Sequence, residues 1–351
     1  MAGSIVPPAQ VLLSRRVQEM VLHGEEPPQP YMGRDDSTYD VSVPPPYMPP
    51  IIDLSLLSPD SSTAEDELQK LRSALSSWGC IQVIGHGIPK ASLDKIRQVT
   101  SEFFQQSIEE KQRHAKLVEE FEGYGADPVP AEGQSLDWSD RLFLTVYPED
   151  QRNLKFWPEN PKSFREVLEG YTTEMKMLTE LLSKSMAKSL NLVENCFLNQ
   201  FGEKETLHAR FNYYSRCQRP DLILGLKAHA DGSGYTVILQ DDVEGLQVLK
   251  DKNWITIPAV SDALLVLMGD QMEIMTNGIF KSPVHRVLTK LDKERISVAV
   301  FYTPEPKKEI GPEEGLINEE RPRIFKKVKD YADVHWEYYQ KGQRALHVAS
   351  V

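Results

Sequence analysis

His229 and Asp231, an imidazole and a carboxylate, stand two residues apart in the run KAHADGSG. On an extended strand, residues i and i+2 project from the same face, so both side chains can aim at one point. Imidazole nitrogen and carboxylate oxygen together suit a borderline metal such as Fe(II), and two histidines plus one carboxylate form a facial triad that leaves coordination positions open. The third ligand must come from elsewhere in the chain. Of the eight histidines, His285 in KSPVHRV is the best placed: it opens another β-rich run 54 residues beyond Asp231, a separation that a sandwich closes by pairing non-adjacent strands. Ten residues later, Arg295 and Ser297 repeat the i, i+2 spacing at the head of RISVAVFYT. A guanidinium fork meets a carboxylate through two hydrogen bonds and a serine hydroxyl adds a donor, which is what the distal end of a dicarboxylate needs.

Singly, each signal has an ordinary explanation. A lone HxD is most often a hydrogen-bonded or surface imidazole, and a lone RxS is a strand arginine in a surface ion pair. Their order within one β-rich block sets them apart. Two other histidines read as structural: His86, between glycines in IGHGI, as part of a turn at a strand end, and His114, in the charged run EEKQRHAK, as a solvated helix face. Cys80, Cys196 and Cys217 are odd in number and widely spaced, which fits buried reduced thiols better than a disulfide framework or a cysteine-based zinc site.

The elements that must hold these residues follow from periodicity. Between Leu207 and Thr303, short β-rich runs (RFNYYS, YTVILQ, LQVLK, WITIP, LLVLMG, HRVLT, RISVAVFYT) are punctuated by Gly, Pro, Asp and Asn, the pattern of a sandwich or barrel. No helix of ordinary length fits inside that block. A jelly roll is expected, because its double sheet leaves a mouth in which a ligand can sit. Helices are expected over Thr63 to Trp78, stopped by Gly79, and over about Ala91 to Gln106. A long one starts near Pro161, with Phe164, Leu168, Tyr171, Met175, Leu178, Leu182 and Met186 along one stripe that reads as core packing. IIDLSLL and CIQVIGHGI read as strands, GADPVPAEG as a mobile loop, and Phe325 to Tyr339 as a closing helix. Residues 1–48 read as a Pro-rich extended arm over the body, ending in VPPPYMPP. The fold class is thus α+β, a jelly-roll core with N-terminal and flanking helices. Its parts are 49–160 helical, 161–202 a scaffold helix, 203–305 the core and 306–351 a C-terminal helical segment.

Composition limits the partners. A net charge of −12, with Lys and Arg scattered, repels a polyanionic nucleic-acid backbone. No apolar stretch approaches the roughly 20 residues that span a bilayer, so no membrane span is expected. In MAGSIVPPAQVLLSRRVQEM the arginines follow the short apolar run, the wrong order for a secretory signal. A cytoplasmic monomer acting on a small molecule is the expectation.

The motif set HxD, distant His and RxS closely resembles that of plant-type 2-oxoglutarate and Fe(II)-dependent dioxygenases. The likeness extends through FNYYSRCQRPDLILGLKAHADGSGYTVILQDDVEGLQVLK and GDQMEIMTNGIFKSPVHRVLTKLDKERISVAVFYTPEPKKEIGP, and upstream through PPIIDLSLL and WGCIQVIGHGIP. It covers nearly all of residues 49–345 and is nearest to the branch of codeine O-demethylase-like and norcoclaurine synthase-like proteins. The resemblance implies a double-stranded β-helix core with iron on His229, Asp231 and His285. It places 2-oxoglutarate on Arg295 and Ser297, with Asn212 and Tyr214 of the NYY motif reaching the same site. Phe143, Arg210, Phe301 and Thr303 would line the substrate cavity, with Phe301 as an aromatic shelf. The sequence departs from the family in reading NYYSRCQ where NYYPPCP is common, and HADGSG where HSD or HTD is common; neither change touches a metal ligand.

The implied reaction has 2-oxoglutarate chelating Fe(II) beside O₂, with ascorbate as reductant. Oxidative decarboxylation then yields succinate and CO₂, and a substrate C–H bond is hydroxylated. Desaturation, ring formation and O-demethylation begin with the same hydrogen abstraction and stay open as alternatives. A multi-ring aromatic or alkaloid-type plant metabolite ranks first as substrate. A catalytically inactive binding protein on the same scaffold is the alternative of another class, disfavoured because all three ligands and the RxS pair are present. Retention of Asp231 also disfavours a halogenase.

Overall fold

Alternation along the strand containing Arg295 organises the molecule. Ile296, Val298, Val300 and Tyr302 turn toward a helix layer, while Arg295, Ser297, Ala299, Phe301 and Thr303 share the opposite face, as period-two geometry requires. The computed structural model describes residues 9–33, 48–57, 62–128 and 131–351.

Among these, twelve strands form two sheets: β1 (Ile51–Asp53), β2 (Cys80–Ile84), β3 (Gly123–Gly125), β4 (Asp140–Tyr147), β5 (Thr206–Tyr214), β6 (Leu224–His229), β7 (Tyr235–Gln240), β8 (Leu246–Lys250), β9 (Asn253–Thr256), β10 (Leu264–Met268), β11 (His285–Leu288) and β12 (Arg295–Thr303). The larger sheet runs β1-β2-β10-β7-β12-β5-β4-β3 and the smaller β6-β11-β8-β9. Among the described residues, nine α-helices accompany them: α1 (Ala9–Ser14), α2 (Val17–Leu22), α3 (Ala64–Ser77), α4 (Lys90–Phe104), α5 (Ile108–Gln112), α6 (Phe164–Ser189), α7 (Cys196–Phe201), α8 (Asp270–Met275) and α9 (Tyr331–Gln340). The fold is an α+β jelly roll.

The main core lies between the large sheet and α3, α4 and α6. Leu168, Tyr171, Met175 and Leu182 of α6 bury against Phe211, Val298 and Val300 of the strands, so the apolar stripe read from the sequence is core. A second apolar layer, with Ile238, Leu246, Val248, Leu265 and Ala299, fills the space between the two sheets. The functional face of the large sheet looks into that inter-sheet space.

Several elements differ from the sequence expectation. The described part of the arm is not extended: α1 and α2 bury Leu12, Leu13, Val17 and Met20 against Leu136, Trp138 and Ile223. The backbone N–H groups of Val17 and Gln18 donate to the buried Asp140 carboxylate at 3.3 and 2.8 Å, an anion at a helix start. Most of VPPPYMPP lies outside the described residues. IIDLSLL is a strand for only three residues before turning into a 3₁₀ helix, and β4 arises in LDWSDRLFL, where no strand was anticipated. The closing helix begins at Tyr331, after Phe325 has paired with Ser350 in an isolated bridge.

His114 is not solvated. It is buried against Phe103, beyond the end of α5, and burial lowers its pKa. The charged run misled because its apolar anchor, Phe103, lies on a different helix. His86 is structural as expected, with Nε2 against the Asp262 carbonyl at 2.9 Å and Nδ1 accepting from Ile88 N–H at 3.1 Å. All three cysteines are buried and free.

Candidate active site

β6 and β11 pair antiparallel with His229 opposite His285, which brings the two imidazoles together with ring centroids 4.2 Å apart. Asp231 lies past the end of β6 rather than on it, so i, i+2 strand geometry alone does not aim it. Its backbone carbonyl accepts from Asp270 N–H at 2.8 Å at the start of α8, and its side chain accepts from the Thr236 hydroxyl on β7. Asp231 Oδ1 then sits 3.4 Å from His229 Nε2 and 3.6 Å from His285 Nε2. One ligand atom from each residue lies within 4.8 Å of the others, a group that could hold a metal ion.

The tautomers favour that use. His229 Nδ1 faces the Lys227 carbonyl at 2.9 Å and His285 Nδ1 faces the Pro283 carbonyl at 3.2 Å. A carbonyl only accepts, so Nδ1 carries the proton and each Nε2 turns a lone pair to the shared point. Burial pushes His285 down to about 4, keeping it neutral. Asp231 is buried, and the Thr236 hydroxyl donates to its carboxylate, which favours the ionised form. Two neutral nitrogens and one carboxylate on one side of a point fit Fe(II) with positions left open.

Deeper between the sheets, Arg295 is 2% exposed and makes no ion pair among the described residues. Its Nε donates to the Val243 carbonyl at 3.0 Å and one terminal nitrogen to Gln240 Oε1 at 2.8 Å; the other lies 3.5 Å from Ser297 Oγ. Tyr214 offers its ring face to the guanidinium, and Asn212 donates to Ser297 Oγ at 3.3 Å. A buried guanidinium with no carboxylate at ion-pair distance among the described residues could hold the carboxylate of a ligand. A narrow cavity joins this end to the triad, with Arg295, Ser297, Asn212 and Tyr214 all on its wall.

Outward from the triad lies a cavity of about 440 Å³. Phe143, Arg210, Phe301 and Thr303 all line it, so the four residues expected around a substrate are brought together. Arg210 is not free, however: it donates to both Asp127 oxygens at 3.1 and 3.0 Å and to Asn212 Oδ1 at 2.6 Å. Asp127 also accepts from Arg141, so the described part of GADPVPAEG is anchored, against the expectation of a mobile loop. The sequence reading missed Phe121, His208, Trp336 and Tyr339 on the same wall. Trp336 and Tyr339 come from α9, read only as a closing helix, and no spacing signal ties them to the core.

The model for the 2OG-Fe(II) oxygenase superfamily matches residues 205–304, and that for the N-terminal region of non-haem dioxygenases in morphine synthesis matches residues 49–160. Codeine O-demethylase from Papaver somniferum is 40% identical over 287 residues, 81% of this chain and 79% of that protein. The chain belongs to the 2-oxoglutarate and Fe(II)-dependent oxygenases. S-norcoclaurine synthase 1 from Coptis japonica is 38% identical to the oxygenase over 289 residues, 81% of this chain and 80% of that one. A crystal structure of JOX2 in complex with 2OG, Fe and JA matches with a TM-score of 0.85 at 32% identity, covering 96% of this chain and 98% of that chain. The oxygenase is therefore an oxidoreductase that works with Fe(II), 2-oxoglutarate and O₂, with ascorbate as reductant. Among its described residues, no helix is long and apolar enough to cross a membrane.

Proposed function

We propose that the oxygenase hydroxylates a flat, multi-ring plant specialised metabolite, aromatic or alkaloid-like, with succinate and CO₂ as co-products. The observation that carries this reading is the aromatic wall of the outer cavity. Phe121 meets Phe143 and Trp336 edge-on at 4.5 and 4.9 Å between centroids, Trp336 stacks on Tyr339 at 5.4 Å, and Phe301 lies 6.2 Å from Phe143. A cavity of about 440 Å³ suits a small-molecule ligand, and ring faces favour flat apolar partners.

In this reading His229, Asp231 and His285 hold the iron, while Arg295 and Ser297, helped by Asn212 and Tyr214, bind the 2-oxoglutarate C5-carboxylate. Iron and 2-oxoglutarate, when bound, supply O₂ activation coupled to decarboxylation. The chain's own residues do the rest: Arg295 fixes the co-substrate end-on, Thr236 orients Asp231, and the aromatic wall holds the reacting carbon over the triad while excluding water. The buried free thiols fit a reducing compartment, and we place the oxygenase in the cytosol.

The identity to codeine O-demethylase favours O-demethylation as a second reading, since hydroxylation of an O-methyl carbon releases formaldehyde. A metabolite screen with Fe(II), 2-oxoglutarate, ascorbate and O₂, read by mass, separates the two: hydroxylation adds one oxygen and demethylation removes CH₂. Failure of every flat multi-ring compound, with turnover of a small aliphatic acid, would refute the proposal.

A further inference from the structure

His208 lies on β5 two residues before Arg210, on the face shared by Arg210, Asn212 and Tyr214. Strand register sets it opposite Phe301 on β12 and Thr145 on β4. Its ring stacks on Phe143 with centroids 5.3 Å apart and planes 27° apart, and it lines the outer cavity. Neither ring nitrogen has a hydrogen-bond partner among the described residues, and burial alone moves its pKa, down to about 4. The imidazole is therefore neutral at physiological pH, with one donor and one acceptor both unused.

That condition sets it apart from its polar neighbours. Arg210 is committed to Asp127 and Asn212, and His335 Nε2 to the Ala230 carbonyl at 2.7 Å. A half-buried imidazole on an otherwise aromatic wall presents its donor and its acceptor to whatever fills the cavity.

We propose that His208 reads the substrate, hydrogen-bonding through its imidazole to a hydroxyl or other oxygen on the ring system that Phe143 and Phe301 flank. This rests on the aromatic-cavity reading and deepens it: the substrate is an oxygenated flat ring rather than a bare hydrocarbon skeleton, and the His208 contact sets which edge faces the triad.

The test is an anaerobic equilibrium titration of the Fe(II)- and 2-oxoglutarate-loaded oxygenase with 2-naphthol and with naphthalene, a matched pair differing by one hydroxyl. The wild type should bind 2-naphthol about 5- to 10-fold more tightly, the range expected of one hydrogen bond. In His208→Phe that ratio should collapse toward one with naphthalene affinity kept, and His208→Gln should restore part of it. A retained 2-oxoglutarate-induced thermal shift shows that each variant is folded. An unchanged ratio in His208→Phe, or equal weakening of both probes, makes His208 wall packing and overturns the inference. If the wild type binds both probes equally, the inference falls while the cavity reading stands; if it binds neither, the cavity reading falls first.

Discussion

Asp231 is both a candidate ligand and the acceptor of the Thr236 hydroxyl, so its orientation depends on a neighbour that never touches the metal point. Replacing His229, Asp231 or His285 with Ala should abolish turnover in a folded protein and weaken Fe(II) binding in a metal titration. Thr236→Val should leave the ligand set intact yet lower Fe(II) affinity by about 10-fold, as loss of an outer hydrogen bond does. At the other end, Arg295→Ala removes charge-assisted hydrogen bonds worth about 1.5–3 kcal/mol. The 2-oxoglutarate KM should then rise by about one to two orders of magnitude, with Arg295→Lys recovering only part, because a point charge lacks the fork. An unchanged KM would assign the carboxylate to another residue. The candidate set His229, Asp231, His285, Arg295 and Ser297 was readable from two short spacings and their order along the chain, although Asp231 lies past the end of β6 and is aimed by Thr236 and Asp270. Gln240 and His208 were not: each arrives through register with β12, distant in sequence, and local spacing holds no record of that.

Between elements, the most charged joint is Asp127, which ties the stretch after β3 to Arg141 on β4 and Arg210 on β5. Burial raises its pKa, but the two guanidinium groups and Lys227 outweigh burial and hold it below the usual carboxylate range. Because the folded value is depressed, its stabilisation is complete above the unfolded pKa of about 3.9 and is lost as pH falls toward the folded value. Chemical denaturation followed against pH should show stability dropping below about pH 5 in the wild type, with a shallower fall in Asp127→Asn. At neutral pH that variant should be less stable by about 3–5 kcal/mol, since two buried cations lose their counter-charge.

Across the cavity, Phe301→Ala should weaken substrate binding more than 2-oxoglutarate binding and raise the 2-oxoglutarate consumed per product. Impairment of 2-oxoglutarate alone would remove Phe301 from the wall. At this scale the sequence was uneven. α6 was plain from its stripe, whereas α1, α2 and β4 were hidden because their apolar positions are satisfied by partners far along the chain. The anchored Asp127 was hidden among prolines for the same reason.

For the whole molecule, His229 and His285 stand on the paired strands β6 and β11, and Asp231 is held by Asp270 N–H and the Thr236 hydroxyl, so the site is expected to form without metal. Adding Fe(II) and 2-oxoglutarate anaerobically at 100 times their dissociation constants should stabilise the protein by about 2.7 kcal/mol per independent ligand, by mass action. Thermal unfolding should show the rise in the wild type and a smaller one in His229→Ala, while a chelator should return the wild type to a folded apo form. Unfolding on chelation would show that the sandwich depends on its metal.

β12 spans the site from Arg295 to Thr303, and at about 3.3 Å per residue its inward positions form a graduated rod roughly 26 Å long. The proposed co-substrate and selectivity ends are marks on one stick, with β5 beside it carrying Tyr214 and Asn212 at one end and His208 at the other. Under the proposed function, substitutions at 208, 301 or 303 should retune what the enzyme accepts while the chemistry at 295 and 297 stays in calibration. A single-residue insertion between the marks would exchange the inward and outward faces beyond it and so break the match between the two ends. Diversification of such a scaffold should proceed by replacement within these strands and by length change only in the loops that join them.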